Sequence, residues 1–277
     1  MKNILLPTDF SENSMNAIDY AMRFFENWEC NFYILNVQKI SEYTTDDLMT
    51  AAPTETIYQS IAVDNKKLID QLVKKLSKKF KSQAYTFHGL FDYDDFLDSI
   101  KQAVQFHKID LILVGSNGAT SAKEQLFGSN TLQIIRNINC PTLTIPDHYT
   151  FSNIKSTLFS TQKCEDFSFQ GINAFKEILT IHQCELNVLE LDDNASYKSR
   201  REDSSCLKKL FPEHPYTYYS LNTIPGLIAV NTATQLLKVD LHAVFVEKEN
   251  FLERLFFGSE NSKILYQTLV PLLFLHK

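Results

Sequence analysis

Gly115-Ser116-Asn117-Gly118 follows directly on the apolar run Leu111-Ile112-Leu113-Val114, and nine residues further on Gly128-Ser129-Asn130-Thr131 opens a helical pattern. Glycine permits positive φ and lets backbone N–H groups close on an anion with no Cβ in the way. A helix start adds unpaired N–H groups and the positive end of the helix dipole. Ser129 can offer a hydroxyl to an oxyanion as well as serve the helix start. The chemistry these residues suit is phosphate binding through the backbone. Either cluster alone reads equally well as a turn or a cap; two in order after an apolar strand are more specific. A P-loop needs G-x4-G-K-[ST], which the chain lacks, and Lys123 is the one lysine within the loop.

Other chemistry is sparse. His88 is expected to end a strand at the edge where catalytic groups gather, though a lone histidine there reads more simply as structural or solvent-facing. Asp92, Asp94 and Asp95 could hold Mg2+, but they suit capping of the helix that follows. Cys30, Cys140, Cys164, Cys184 and Cys206 form no C-x-x-C pair or Cys/His cluster, so reduced, buried thiols are expected. No acidic pair is placed for two-metal phosphoryl transfer and no nucleophile–base spacing is evident. Enzymatic activity stays open.

The elements that must position the glycines alternate. Strands are expected at Lys2–Leu6, Asn31–Val37, Gln83–His88, Leu111–Val114 and Thr142–Ile145. Helices are expected at Ser11–Phe25, Ala62–Phe80, Tyr93–His107 and from Ser129 to Arg136. Apolar, non-alternating strands between helices point to a parallel sheet covered on both faces. Gln38 to Ser60 is polar and reads as a long loop or lid.

The pattern occurs twice. Asp110-Leu111, Phe127-Gly128-Ser129 and Pro141 find counterparts at Asp240-Leu241, Phe257-Gly258-Ser259 and Pro271, all 130 residues on. Upstream, Asn3–Thr8 matches Ser156–Thr161 and Cys30 matches Cys184. The second copy is shorter, with helices expected near Phe167–Thr180, Ser199–Phe211, Pro225–Lys238 and Glu260–Thr268. The expected fold class is α/β: two tandem, doubly wound, five-stranded parallel-sheet domains, at 1–148 and 152–277. In the second copy Phe245 and Lys248 replace Gly115 and Gly118, Gln162 replaces Asp9, and Ser160 replaces Pro7. Phenylalanine at 245 is expected to block the groove. Tyr216, Tyr218 and Tyr219 read as ordinary strand residues.

The 277 residues are 44% hydrophobic and 22% charged, ordinary for globular protein, with a net charge of −6. That charge disfavours a nucleic-acid surface, which needs a basic face. Lys74, Lys75, Lys78, Lys79 and Lys81 have the spacing of a solvated helix face. No apolar run is long enough for a signal core or a membrane span. A cytoplasmic location is expected.

Gly115-x2-Gly118-x9-Gly128-Ser129 resembles the ATP-binding signature of the universal stress protein family. Ile4–Ser11, Asn36-Val37 and Cys140–Ile145 resemble that family's first strand and turn, the end of its second strand and its last strand. The resemblance covers 1–146, and 152–277 more weakly. It implies an adenine nucleotide as ligand, ATP with or without Mg2+, in a Rossmann-like adenine nucleotide alpha hydrolase fold. By position, Asp9 would bond the adenosine moiety, and Pro7 and Val37 would line the base pocket. Val114, Gly115, Asn117 and Gly118 would run along ribose and phosphates, and Gly128, Ser129 and Asn130 would close on the phosphates. The family often has arginine or histidine where Asn117 stands, so phosphate charge is less neutralised here. The resemblance also implies that the last strands, Leu143–Ile145 and Leu272–Leu275, pair within the chain in imitation of a dimer. Dimerisation of whole chains stays open.

The expected function is a cytoplasmic stress-response regulator or sensor that binds nucleotide in its first half. Two alternatives stand beside it: a nucleotide-independent interaction scaffold, and a small-molecule sensor using a remodelled second pocket.

Overall fold

The computed structural model describes residues 1–38, 55–116, 127–161, 171–192, 206–222, 224–246 and 270–276. In the first half, strands β1 (Lys2–Pro7), β2 (Cys30–Val37), β3 (Tyr85–Asp92), β4 (Leu111–Gly115) and β5 (Thr142–Ile145) alternate with helices α1 (Glu12–Phe24), α2 (Glu55–Lys79), α3 (Phe96–Phe106) and α4 (Ser129–Asn137). In the second half come β6 (Ser156–Thr161), α5 (Asn173–His182), β7 (Glu185–Asp192), β8 (Tyr216–Asn222), α6 (Gly226–Leu236), β9 (Leu241–Phe245) and β10 (Leu272–Leu275). Residues 206–210 are helical, inside the Ser199–Phe211 expectation. The helix expected at Glu260–Thr268 lies outside the described residues.

All ten strands join one sheet, in the order β3-β2-β1-β4-β5-β10-β9-β6-β7-β8. Each half repeats the same order from its outer edge inward. Pairing is parallel throughout except at the centre, where β5 and β10 run antiparallel with Leu143 opposite Leu273. Both leucines are fully buried. In the first half the strand order reverses between β1 and β4, whose Leu5 and Ile112 are paired.

The strands form because they are apolar enough to be covered twice. β4 is buried at every residue. Its Leu111 and Leu113 belong to one core cluster with Ala17 and Ile18 of α1 and Ile69 and Leu72 of α2, while Ile112 and Val114 belong to another with Ile100 of α3 and Ile134 of α4. Helix α1 starts where expected: Ser11 is its N-cap and accepts from the Ser14 N–H. The lysines of α2 do lie on a solvated face, with Lys79 salt-bridged to Asp19 at 3.1 Å.

Three expectations need correcting. Strand β3 runs on to Asp92, because it stays in register with β2 until Val37 meets Asp92. His88 therefore sits mid-strand. The Gln38–Ser60 loop is shorter than expected, since α2 already begins at Glu55; residues 39–54 lie outside the description. Among the cysteines, Cys30, Cys140 and Cys184 are free thiols, but Cys206 is disulfide-bonded, contrary to the expectation of reduced thiols throughout.

Candidate functional site

The carboxyl ends of β2, β1 and β4 lie side by side at the point where strand order reverses. In open parallel sheets that edge is where ligands bind. The strand pairing distributes the expected site residues between faces. Pro7 pairs with Leu35, and Val37 and Val114 stand two residues beyond Leu35 and Ile112. Pro7, Val37 and Val114 thus share the face that α3 and α4 cover. Pro7 is buried and Val37 half-buried, so they can present an apolar wall.

Gly115 ends β4 on the opposite face. A Cβ there would come within 2.7–2.9 Å of the carboxamide of Asn13 on α1. A side chain at 115 would push that carboxamide aside, a close approach that the spacing alone did not reveal. Asn117 and Gly118 lie outside the described residues. The two stems of the loop that holds them are fastened together: the Gly128 N–H donates to the Ser116 carbonyl at 2.8 Å, and buried Thr131 donates its hydroxyl to the Gly115 carbonyl at 2.9 Å. Gly128 caps α4 without a side-chain bond, in extended conformation at φ −63°. Ser129 and Asn130 are exposed in the first turn. The start of α4 is thereby held beside the end of β4.

Asp9 is exposed and its Oδ1 accepts from the Ser11 N–H at 3.0 Å and the Ser11 hydroxyl at 2.5 Å. It steadies the cap of α1. Thr8 and Asn36, which sequence reasoning passed over, lock this corner. The Thr8 hydroxyl bonds that of Ser14 at 2.9 Å, and Asn36 donates to the Thr8 carbonyl at 2.7 Å. Asn36 is buried and its Oδ1 has no hydrogen-bond partner. A polar residue ending an otherwise apolar strand was the available signal.

The outlying candidates resolve structurally. His88 is exposed and stacks on Tyr33, with ring centroids 4.8 Å apart; His107 stacks on the same tyrosine at 4.4 Å. Burial, aided by the nearby His88 charge, lowers the His107 pKa. Asp95 caps α3 by accepting from the Leu97 N–H at 2.9 Å. Among the described residues no group of three or more histidine, cysteine or acidic side chains could hold a metal ion, and no helix is long and apolar enough to cross a membrane.

The corresponding edge of the second half is built differently. Phe245, the counterpart of Gly115, is buried and packs edge-on against Phe159, with centroids 6.0 Å apart. It fills core rather than standing across the groove, which corrects the expected reason for its effect. Ser160, the counterpart of Pro7, is buried 2.7 Å from Nε2 of His242. Burial drives the His242 pKa down to about 3. Gln162, Lys248, Gly258 and Ser259 lie outside the described residues.

The sheet order defines a doubly wound α/β protein, with the tied loop stems at its switch point. The model of the universal stress protein family matches residues 1–146, and the chain belongs to that family. A curated universal stress protein of Methanocaldococcus jannaschii is 25% identical over 144 residues, 52% of this chain and 81% of the relative. A solved universal stress protein from Archaeoglobus fulgidus is 16% identical, with a TM-score of 0.70, covering 99% of this chain and 96% of that one. The cytoplasmic domain of a prokaryotic cation chloride cotransporter also shares the fold, at 11% identity and a TM-score of 0.58 over 99% and 95% of the two chains. The fold thus serves more than one role, and function must be argued from the site.

Proposed function

We propose that the first half, residues 1–148, binds an adenine nucleotide, ATP with or without Mg2+, and that the protein is a stress-response regulator or sensor. The base would lie on Pro7 and Val37, and Asp9 would bond the adenosine moiety. Val114, Gly115, Asn117 and Gly118 would follow ribose and phosphates, with Gly128, Ser129 and Asn130 closing on them. The observation that carries this reading is the Gly128–Ser116 hydrogen bond, which holds the exposed start of α4 against the end of β4 at the switch point. Unpaired N–H groups and the helix dipole there favour a phosphate. Any hydrolysis would be weak at most. The second half, 152–277, is a degenerate copy that covers the edge of β5 and completes a dimer-like unit.

Calorimetric titration of ATP, ADP and AMP into the wild type and Gly118→Val tests the reading. Micromolar binding lost in the variant supports it; equal binding by both, or none by either, overturns it.

A nucleotide-independent scaffold is the second reading, and the Gly115–Asn13 packing favours it, since that close contact is made without any ligand. Protein purified free of nucleotide and unshifted in melting temperature by millimolar ATP-Mg would select it.

A further inference from the structure

Beneath α3, toward the β3 edge, lies a cleft of about 530 Å³ that contains none of the proposed nucleotide residues. Small-molecule pockets typically measure about 300–1,000 Å³. Leu35, Leu90 and Phe106 supply its apolar surface, and Asp92, Ser99 and Gln102 its polar groups. Phe106 is 83% exposed, an unusual setting for an aromatic ring.

Two groups in this cleft lack protein partners. Ser99 is 2% exposed, and its Oγ has no hydrogen-bond partner. Its backbone N–H already bonds the Asp95 carbonyl, so the helix needs nothing from the hydroxyl. Buried polar atoms are ordinarily satisfied, and leaving one unpaired carries a penalty. Asp92 accepts from the Tyr93 N–H with Oδ1. Among the described residues nothing bonds its Oδ2, and no cation pairs with it.

The local charge is negative. Asp92, Asp94, Asp95 and Asp98 cluster at the start of α3, and Lys101 answers only Asp98, at 3.4 Å. The helix end adds only about half a positive charge. An anion such as a nucleotide phosphate is disfavoured here and a cation favoured. Burial, with His88 beside it, disfavours the charged form of His107 at the far end of the cleft.

We propose that this cleft is a second ligand site, for a small aromatic amine. The ring would lie against Leu35, Leu90 and Phe106, the ammonium on Asp92, and a polar group of the ligand on the Ser99 hydroxyl. The site is independent of the nucleotide reading and uses a different part of the same sheet face.

The test is an NMR titration of the isotope-labelled full chain with tyramine, with p-cresol as its uncharged analogue and 4-hydroxyphenylacetate as its acidic one. Saturable shifts at Leu90, Ser99, Gln102 and His107 are expected, strongest for tyramine and weakest for the acid. Ser99→Ala should weaken tyramine about five- to tenfold, the usual loss for one hydrogen bond. It should leave the ligand-free melting temperature unchanged or raised, because it removes an unsatisfied atom. Asp92→Asn should abolish the preference for the amine over p-cresol. No saturable shifts at these residues, displacement of tyramine by ATP, or full tyramine affinity in both variants would overturn the proposal.

Discussion

The carboxamide of Asn13 occupies the place where a side chain at position 115 would begin, 2.7 Å from an ideal Cβ. Gly115 ends the central strand β4, and Asn13 lies in the first turn of α1. The contact couples the strand end to the helix capped through Ser11 and Asp9.

The coupling separates packing from ligand binding at one glycine. Gly115→Ala should destabilise the protein by about 1 kcal/mol, the low end of overpacking costs, because the Asn13 carboxamide is the end of a flexible side chain. Adding Asn13→Ala should recover most of that loss, giving a favourable interaction energy in a double-mutant cycle read by urea denaturation. If Gly115 is also needed for close approach of a nucleotide, the recovered double variant will still bind ATP more weakly than Asn13→Ala alone. Equal ATP affinity in those two would confine Gly115 to a packing role.

The seam between β5 and β10 supports a second expectation. Leu143 and Leu273 are paired and fully buried, and Thr144 donates to the Leu272 carbonyl at 3.4 Å. Tyr20 and Phe24 of α1 also meet Phe151, at centroid separations of 5.2 and 6.4 Å. A protease site inserted after exposed His148 should therefore yield two fragments that co-elute, measured by size exclusion with light scattering. Leu273→Lys in the cut protein should separate them, because a buried lysine facing Leu143 has no partner. Fragments that part without the substitution would show that the covalent link, not the seam, holds the halves together.

Much of this architecture is legible in the residues, and the failures have physical causes. Thr142–Ile145 is found as expected, and β4 differs from expectation only by its final glycine, because short apolar runs between turns are unambiguous in a doubly covered sheet. Strand β3 is misjudged because it is an edge strand. Its residues are mostly half-buried or exposed, so pairing with β2 rather than hydrophobic pattern sets its end. Gly89 lies mid-strand, where Ile69 of α2 leaves no room for a Cβ. The glycine spacing places Gly115 at the carboxyl end of β4, but its contact with Asn13, about a hundred positions away, is not legible in that spacing. Ser99 carries no motif at all; only its burial and unmet hydrogen bond single it out.

His242 gives the last expectation, one of pH dependence. It is fully buried on β9 against Ser160, and desolvation lowers its pKa from 6.5 to about 3. Folded His242 thus stays neutral over a range in which the unfolded chain binds a proton. Where the unfolded state binds more protons, stability falls as pH falls. The loss from this residue should begin near pH 6.5, proceed at about 1.4 kcal/mol per pH unit, and end near pH 3. His182 and His276, also lowered by burial, act in the same direction, so the residue must be isolated by difference. The reference is His242→Leu with Ser160→Ala, which removes both members of the polar pair and leaves neither unpaired. Urea denaturation of wild type and double variant at pH 7 and pH 5 should show a smaller acid loss in the variant, by about 2 kcal/mol. Identical acid losses would mean that His242 takes up its proton in the folded state, and that its buried neutral pairing with Ser160 does not persist in solution.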